Sequence, residues 1–188
     1  MRSLFFASAF IFCELHAEAL QAQGLSISAL KEKYSHIKLF SASVTQEKTA
    51  PYLFKPLTSE ILLRYENNTI EWQTLKPVKS LVVIDSKGLR IQNPGEKSGY
   101  AVPRDPRVDH LIEFFRNLFT LDFEKIEKDF VLNFEGLKLV AVPREKAHLF
   151  DMDRLEFFFD KNFMLQRLLI KAKDENMTMK FSNLVIKR

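Results

Sequence analysis

Cysteine is nearly absent from this 188-residue sequence, and glycine and proline are scarce. The single cysteine, Cys13, lies in an apolar N-terminal stretch, so the chain can form no internal disulfide and offers no pair of thiolates to a metal. Five glycines stand against eighteen phenylalanines, which favours regular, tightly packed elements over long loops. Internal repeats and low-complexity tracts are also missing, and the length suits one domain.

The first 19 residues have the features of a secretory signal peptide. Arg2 supplies a positive start, an uncharged apolar run extends from Leu4 to Cys13, and the letters AEA at 17–19 fit the small-x-small cleavage pattern. The run is shorter than the roughly 20 residues that span a bilayer. We therefore expect cleavage after residue 19 and a single soluble domain over 20–188 in the periplasm. A buried N-terminal helix is the alternative.

The sequence lacks the motifs that carry common chemistries. It contains no G-x-S-x-G elbow and no glycine-rich phosphate loop, and its histidines do not have the spacing of metal ligands. The formal net charge is +4, but basic and acidic residues are interleaved and no basic block exists. These absences argue against an enzyme, a metal site, a cofactor and a nucleic-acid partner.

Two segments have the apolar period of a helix. The first covers about Ser26 to Ile37. The second is sharper, because Asp105 is a favourable N-cap and Pro106 a favourable first helical residue. Its broad apolar face is made by Val108, Leu111, Ile112, Phe115, Leu118 and Phe119.

Nearly all the remaining chain alternates apolar and polar residues with period two, which predicts strands joined by short turns. The predicted strands are 38–48, 58–66, 69–76, 80–85, 88–93, 129–134, 137–142, 153–160, 164–172 and 177–186. Consecutive strands with short turns form an antiparallel sheet. The expected fold is therefore mainly β with helices (α+β), built on one large antiparallel sheet.

The width of this sheet decides its shape. Ten strands about 4.8 Å apart make a flat sheet roughly 45 Å wide, and two short helices, each about 10 Å across, cannot cover it. A sheet of this width curls, and the curled sheet encloses either an apolar hollow or a solid core. The predicted apolar face of the strands consists of Phe40, Val44, Ile61, Leu63, Tyr65, Ile70, Trp72, Leu81, Val83, Leu89, Ile91, Phe157, Phe159, Leu168, Ile170, Met177, Met179 and Phe181.

Six stretches, in order, resemble the periplasmic carrier family of outer-membrane lipoproteins, the LolA-like proteins. They are FSASVTQEK at 40–48, EILLRYENNTIEWQTLKP at 60–77, SLVVIDSKGLRIQNP at 80–94, FEGLKLVAVPRE at 134–145, LEFFFDKNFMLQRLLI at 155–170 and MTMKFSNLVI at 177–186. Each stretch is weak by itself, and their combination is specific. The resemblance covers nearly the whole chain from about Ile27 onward.

The resemblance implies an incomplete antiparallel β-barrel with a helical lid over an apolar cavity, the LolA/LolB-like fold. It also implies a monomeric carrier that takes the acyl chains of lipoproteins from an inner-membrane ABC transporter to an outer-membrane acceptor. Of the apolar-face residues, we expect the fifteen from Phe40 to Ile170 to line the lipid cavity. The 106–119 helix would form part of the lid, with Leu111, Phe115, Leu118 and Phe119 facing the cavity. In the empty protein, its rings would pack on Trp72, Tyr65 and the Phe157/Phe159 strand.

One position departs from the family pattern. Typical members have an Arg-Pro pair in the first strand of the opening hairpin, and that arginine is thought to latch the lid helices. Here the matching positions are Glu66 and Asn67, and Arg64 lies two residues earlier on the same side of the strand. Arg64 is therefore either a replacement latch or an exposed strand arginine.

This departure leaves other functions open on the same fold. The protein could carry a different envelope lipid or glycolipid, or it could be a module that senses lipid or lipoprotein. A structural protein with a solid core and no ligand is a further alternative.

Overall fold

The structure, a computed structural model, describes residues 25–96, 99–144 and 152–188. The predicted signal peptide and Cys13 lie outside these residues. Three helices occur in the described part of the chain: α1 (Ile27–Tyr34), α2 (Pro106–Phe119) and α3 (Phe123–Asp129). The strands are β1 (Leu39–Thr49), β2 (Leu57–Glu66), β3 (Thr69–Lys76), β4 (Ser80–Asp85), β5 (Gly88–Gln92), β6 (Tyr100–Ala101), β7 (Phe130–Glu135), β8 (Lys138–Pro143), β9 (Met152–Phe159), β10 (Leu165–Ala172) and β11 (Asn176–Lys187).

All eleven described strands form one antiparallel sheet, in the order β6-β5-β4-β3-β2-β1-β11-β10-β9-β8-β7. The first and last long strands, β1 and β11, pair at its centre, and one meander extends from each. The two edge strands, β6 and β7, do not pair with each other, so the curled sheet stays open. The predicted fold class, a curled antiparallel sheet with helices, is confirmed.

Local sequence explains the hairpin between β2 and β3. In β2, Ile61, Leu63 and Tyr65 are buried while the residues between them are exposed, as strict alternation requires. The turn to β3 is made by Asn67 and Asn68, both with positive φ (50° and 59°). Asparagine tolerates this backbone conformation, which two-residue hairpin turns need.

Two elements were not predicted from the sequence. Helix α3 begins at Phe123 directly after α2, and Asp122 caps it by accepting a hydrogen bond from the backbone N–H of Lys125 (3.2 Å). The short strand β6 pairs with β5 at one edge of the sheet. The expectation of two helices and ten strands is therefore wrong by one element of each kind.

The helices lie on the concave face of the sheet, where α1 and α3 complete a solid core. The Tyr34 ring of α1 and the Phe123 ring of α3 are 6.0 Å apart, measured between centroids. Phe123 also contacts Phe157 and Phe159, at 5.8 and 6.4 Å. Because all four side chains are buried, α1 and α3 cover Phe157 and Phe159 on this part of the concave face.

Candidate functional site

Helix α2 lies over the other part of the concave face, and its N-terminus is fixed as the sequence predicts. The Asp105 carboxylate accepts hydrogen bonds from the backbone N–H groups of Arg107 (2.8 Å) and Val108 (2.9 Å). Pro106 occupies the first helical turn. The helix therefore begins at a definite residue, which sets the direction of its apolar face.

A cavity of about 420 Å³ lies between α2 and the sheet. Its size falls in the range of small-molecule sites, roughly 300–1,000 Å³. The sheet side of its lining is formed by Gln46, Ser59, Ile61, Ile70, Trp72, Thr74, Val82, Ile84, Leu89, Met152, Ile170, Ala172, Glu175, Met177 and Met179. The helix side is formed by Leu111, Phe114, Phe115, Leu118 and Phe119. Most of these side chains are apolar.

All four lid residues predicted from the sequence, Leu111, Phe115, Leu118 and Phe119, face this cavity. Phe115 stacks on Phe119 at 5.7 Å with an angle of 5° between the ring planes. Phe119 in turn contacts Trp72 of β3 at 5.4 Å. The predicted contact between the helix and Trp72 is therefore present.

The predicted contact between α2 and the Phe157/Phe159 strand needs correction. The rings that meet Phe157 and Phe159 come from α1 and α3, at Tyr34 and Phe123. The reason is that α3, which sequence periodicity missed, occupies the position over this strand.

The fifteen residues predicted to line the cavity fall into three groups. Five line the cavity: Ile61, Ile70, Trp72, Leu89 and Ile170. Eight belong to the packed core or pack against it: Phe40, Val44, Leu63, Tyr65, Ile91, Phe157, Phe159 and Leu168. The remaining two, Leu81 and Val83, are on the wrong face.

Strand register explains the error at Leu81 and Val83. Ile70, which lines the cavity, pairs with Ile84, whereas Val83 pairs with Glu71 on the opposite face of β3. Directly paired residues share a face of the sheet. The inward residues of β4 are therefore Val82 and Ile84, both in the cavity lining.

Arg64 does not face the lid helices. It pairs across the sheet with Ser41 and Glu71, on the face opposite to Leu63. Its guanidinium bonds the carboxylate of Glu66, and its side chain is 54% exposed. The position is that of an exposed strand arginine on the convex face, so the latch interpretation is wrong in this structure.

The cavity also has a polar end, which was not predicted from the sequence. Gln46 and Ser59 are directly opposite each other on β1 and β2, Thr74 lies on β3, and Glu175 lies in the turn between β10 and β11. All four line the cavity. Gln46 occurs in the stretch FSASVTQEK, where alternation from Phe40 places it on the inward face, and that was the available signal.

Glu175 is ionised at this end of the cavity. It accepts from the Lys48 ammonium (2.6 Å) and from the Tyr52 hydroxyl (3.0 Å). The Lys48 hydrogen bond lowers the pKa of Glu175 and outweighs the opposing effect of burial, and the same bond raises the pKa of Lys48. The pair is formally neutral, and both side chains are partly exposed.

Within 25–96, 99–144 and 152–188, no group of three or more histidine, cysteine, aspartate or glutamate side chains is arranged to hold a metal ion. Over the same residues, no helix is both long enough and apolar enough to cross a bilayer.

The site is thus a partly open apolar cavity between a curled antiparallel sheet and an amphipathic helix, with polar residues at one end. No protein-family model matches the sequence, and no curated protein matches it.

Similar solved structures include lipoprotein LppX from Mycobacterium tuberculosis, which is 11% identical over 91% of this chain and 94% of that chain, with a TM-score of 0.47. A LolA superfamily protein from Nitrosomonas europaea is 9% identical over 87% of this chain and 94% of that one, with a TM-score of 0.42. LprF from Mycobacterium bovis is 12% identical over 88% of this chain and 98% of that chain, with a TM-score of 0.39. One of these three neighbours is named as a LolA superfamily protein.

Proposed function

We propose that this protein is a periplasmic carrier that binds acyl chains of lipoproteins in the cavity under α2. It would receive them from an inner-membrane ABC transporter and deliver them to an outer-membrane acceptor. The observation that carries the proposal is the cavity itself: about 420 Å³, lined mostly by apolar side chains, and covered by a helix that contacts the sheet through aromatic rings. The sequence resemblance to lipoprotein carriers supports the class of cargo.

The free energy of burial favours binding of an acyl chain over its release. Burial of an acyl chain contributes about 0.8 kcal/mol per methylene, so a dozen methylenes give roughly 10 kcal/mol before the costs of binding. A carrier therefore needs a means of release. The contacts among Phe115, Phe119 and Trp72 compete with cargo binding, because these rings can pack either on each other or on the acyl chain. A partner that moves α2 would change the affinity by changing which packing is available.

The experiment is native mass spectrometry of the protein purified from the periplasm, followed by organic extraction of what it holds. We expect a bound triacylated peptide or lipoprotein. A different lipid or glycolipid would keep the carrier mechanism and change the cargo. An empty protein that also fails to take up a fluorescent acyl probe would contradict the proposal and favour a structural protein.

A pair of charge variants tests whether α2 is the cover. Phe115→Glu places a carboxylate in the cavity lining, so acyl-probe binding should fall at least tenfold, since an unpaired buried charge is costly. His110→Glu adds the same group on the exposed face of the same helix and should bind normally. Equal binding by the two variants would show that α2 does not contact the cargo.

A further inference from the structure

One side chain in the cavity lining has an unmet hydrogen-bonding requirement. The amide oxygen Oε1 of Gln46 is buried and has no hydrogen-bond partner among the described residues. Buried acceptors are nearly always paired, because losing water without gaining a partner costs free energy. Gln46 lies on β1 at the centre of the sheet, so its backbone position is fixed by neighbours on both sides.

The surroundings of Gln46 define what could satisfy it. Ser59 faces it directly across the strands, and Glu175 at the same end is already engaged by Lys48 and Tyr52. Because the Lys48–Glu175 pair is formally neutral, this end has no net charge to attract a charged group. The Gln46 oxygen therefore needs a neutral hydrogen-bond donor, either an N–H or an O–H group.

The terminal amide of glutamine turns at little cost, since its last torsion is broad. Because Gln46 lines the cavity, rotation about this torsion can turn Oε1 toward the cavity. Glu175, whose side chain is 37% exposed, marks the solvent side of this end. The rings of Phe115 and Phe119 lie in the helix side of the lining.

We propose that Gln46, assisted by Ser59, binds a neutral hydrogen-bond donor next to the acyl carbonyl of the cargo. The cargo class is thus an acyl chain with an adjacent N–H or O–H. An N-acylated lipoprotein supplies an amide N–H, and a glycerolipid or glycolipid supplies a hydroxyl. This inference rests on the proposed function and adds an orientation to it, with the head group at Gln46 and the chain against the rings of α2.

The test compares ligands that differ at one atom. N-methyldodecanamide and methyl dodecanoate have the same length, and only the amide has a donor. Each is titrated against a bound fluorescent acyl probe, in the native protein and in Gln46→Met, which keeps the side-chain length and removes the acceptor. We expect the native protein's preference for the amide over the ester to fall roughly three- to tenfold in the variant, the value of one net hydrogen bond.

A third ligand, 1-dodecanoylglycerol, separates the two sources of the donor. If Gln46→Met weakens only the amide, the site fits an N-acylated lipoprotein; if it weakens only the glycerol ester, the site fits a hydroxyl-bearing lipid. Gln73→Met is the matched control, because Gln73 is exposed on the opposite face of the sheet. Ser59→Ala gives a second variant at the same end, with a smaller loss of the same preference.

The outcomes are distinguishable. If acyl compounds displace the probe but the ratio of amide to ester affinity is equal in the native protein, Gln46→Met and Ser59→Ala, the role of Gln46 is overturned and the carrier proposal stands. If neither the fluorescent acyl probe nor any of the three acyl compounds binds, the proposed function fails and this inference fails with it.

Discussion

Tyr34 links helix α1 to the turn between β9 and β10 through its hydroxyl group. The hydroxyl donates to the backbone carbonyl of Phe163 (2.7 Å) and accepts from the backbone N–H of Leu165 (3.0 Å). Tyr34→Phe removes the hydroxyl partner of both backbone groups, of which the Leu165 N–H is buried. We expect the free energy of unfolding, measured by urea titration, to fall by about 1–3 kcal/mol. Tyr100→Phe is the control, because Tyr100 is 55% exposed and should change stability little.

The environment of Tyr34 also predicts that the free energy of unfolding depends on pH. Burial raises the pKa of Tyr34, and the negative charge of Asp160 adds to this, while the hydrogen bond from Leu165 opposes it. The unfolded chain therefore loses this proton near pH 10, where the folded protein still holds it. The contribution of the protonated Tyr34 hydroxyl to the free energy of unfolding is complete below pH 10 and is lost as the pH rises above 10. The decline should be weaker in Tyr34→Phe, and an equal decline in both proteins would contradict the assignment.

At the scale of single elements, the N-terminal cap of α2 determines how firmly this helix holds its position over the cavity. Asp105→Ala removes the acceptor for two backbone N–H groups in the first turn. We expect faster hydrogen exchange at the first-turn amides of α2, with exchange in β1 and β2 unchanged. Asp105→Asn keeps a capping oxygen and should exchange like the native protein. Faster exchange throughout the sheet would instead indicate global destabilisation.

Strand β4 shows which features of an element the sequence can predict. Its bounds, 80–85, were predicted correctly, because Ser80 and Asp85 flank an apolar run. Its inward face was not, because Leu81, Val82, Val83 and Ile84 are all apolar and alternation gives no choice between them. Only the pairing with β3 decides, and a shift of one residue exchanges the faces. In β2, where polar residues alternate with apolar ones, the face was predicted correctly.

Helix α3 was missed for a different reason. It has seven residues, of which Phe123 and Ile126 are buried. Two apolar positions over two turns do not define a period, whereas the fourteen residues of α2 do. The consequence for the site is large, because Phe123 fills the space over Phe157 and Phe159 that α2 was expected to cover.

At the scale of the whole molecule, the concave face is divided between a solid part and a hollow part. Neighbouring apolar residues of one strand fall on the two sides of this division: Leu168 of β10 is 1% exposed in the core, and Ile170 lines the cavity. The sequence could not assign them, since both are apolar and inward. The difference arises from the helices, because α1 and α3 insert Tyr34 and Phe123 over one part only.

This division predicts different effects for two substitutions of similar size in β10. Leu168→Ala removes a packed side chain and leaves a void, which costs about 2–5 kcal/mol of unfolding free energy. Ile170→Ala should cost about 1 kcal/mol, because part of its side chain already faces empty space and makes fewer contacts. Urea unfolding measures both values.

Acyl-probe affinity should change in Ile170→Ala, the variant with the smaller loss of stability, and stay near native in Leu168→Ala. Ile170→Ala enlarges the cavity, so it should accept a branched or longer acyl probe more tightly than the native protein does. Leu168→Ala should leave probe affinity near the native value at temperatures where it remains folded, because its void opens in the solid part. Equal losses of stability together with equal binding would mean that Leu168 and Ile170 have the same surroundings. A single continuous core, rather than a cavity under α2, would then be the better description of the concave face.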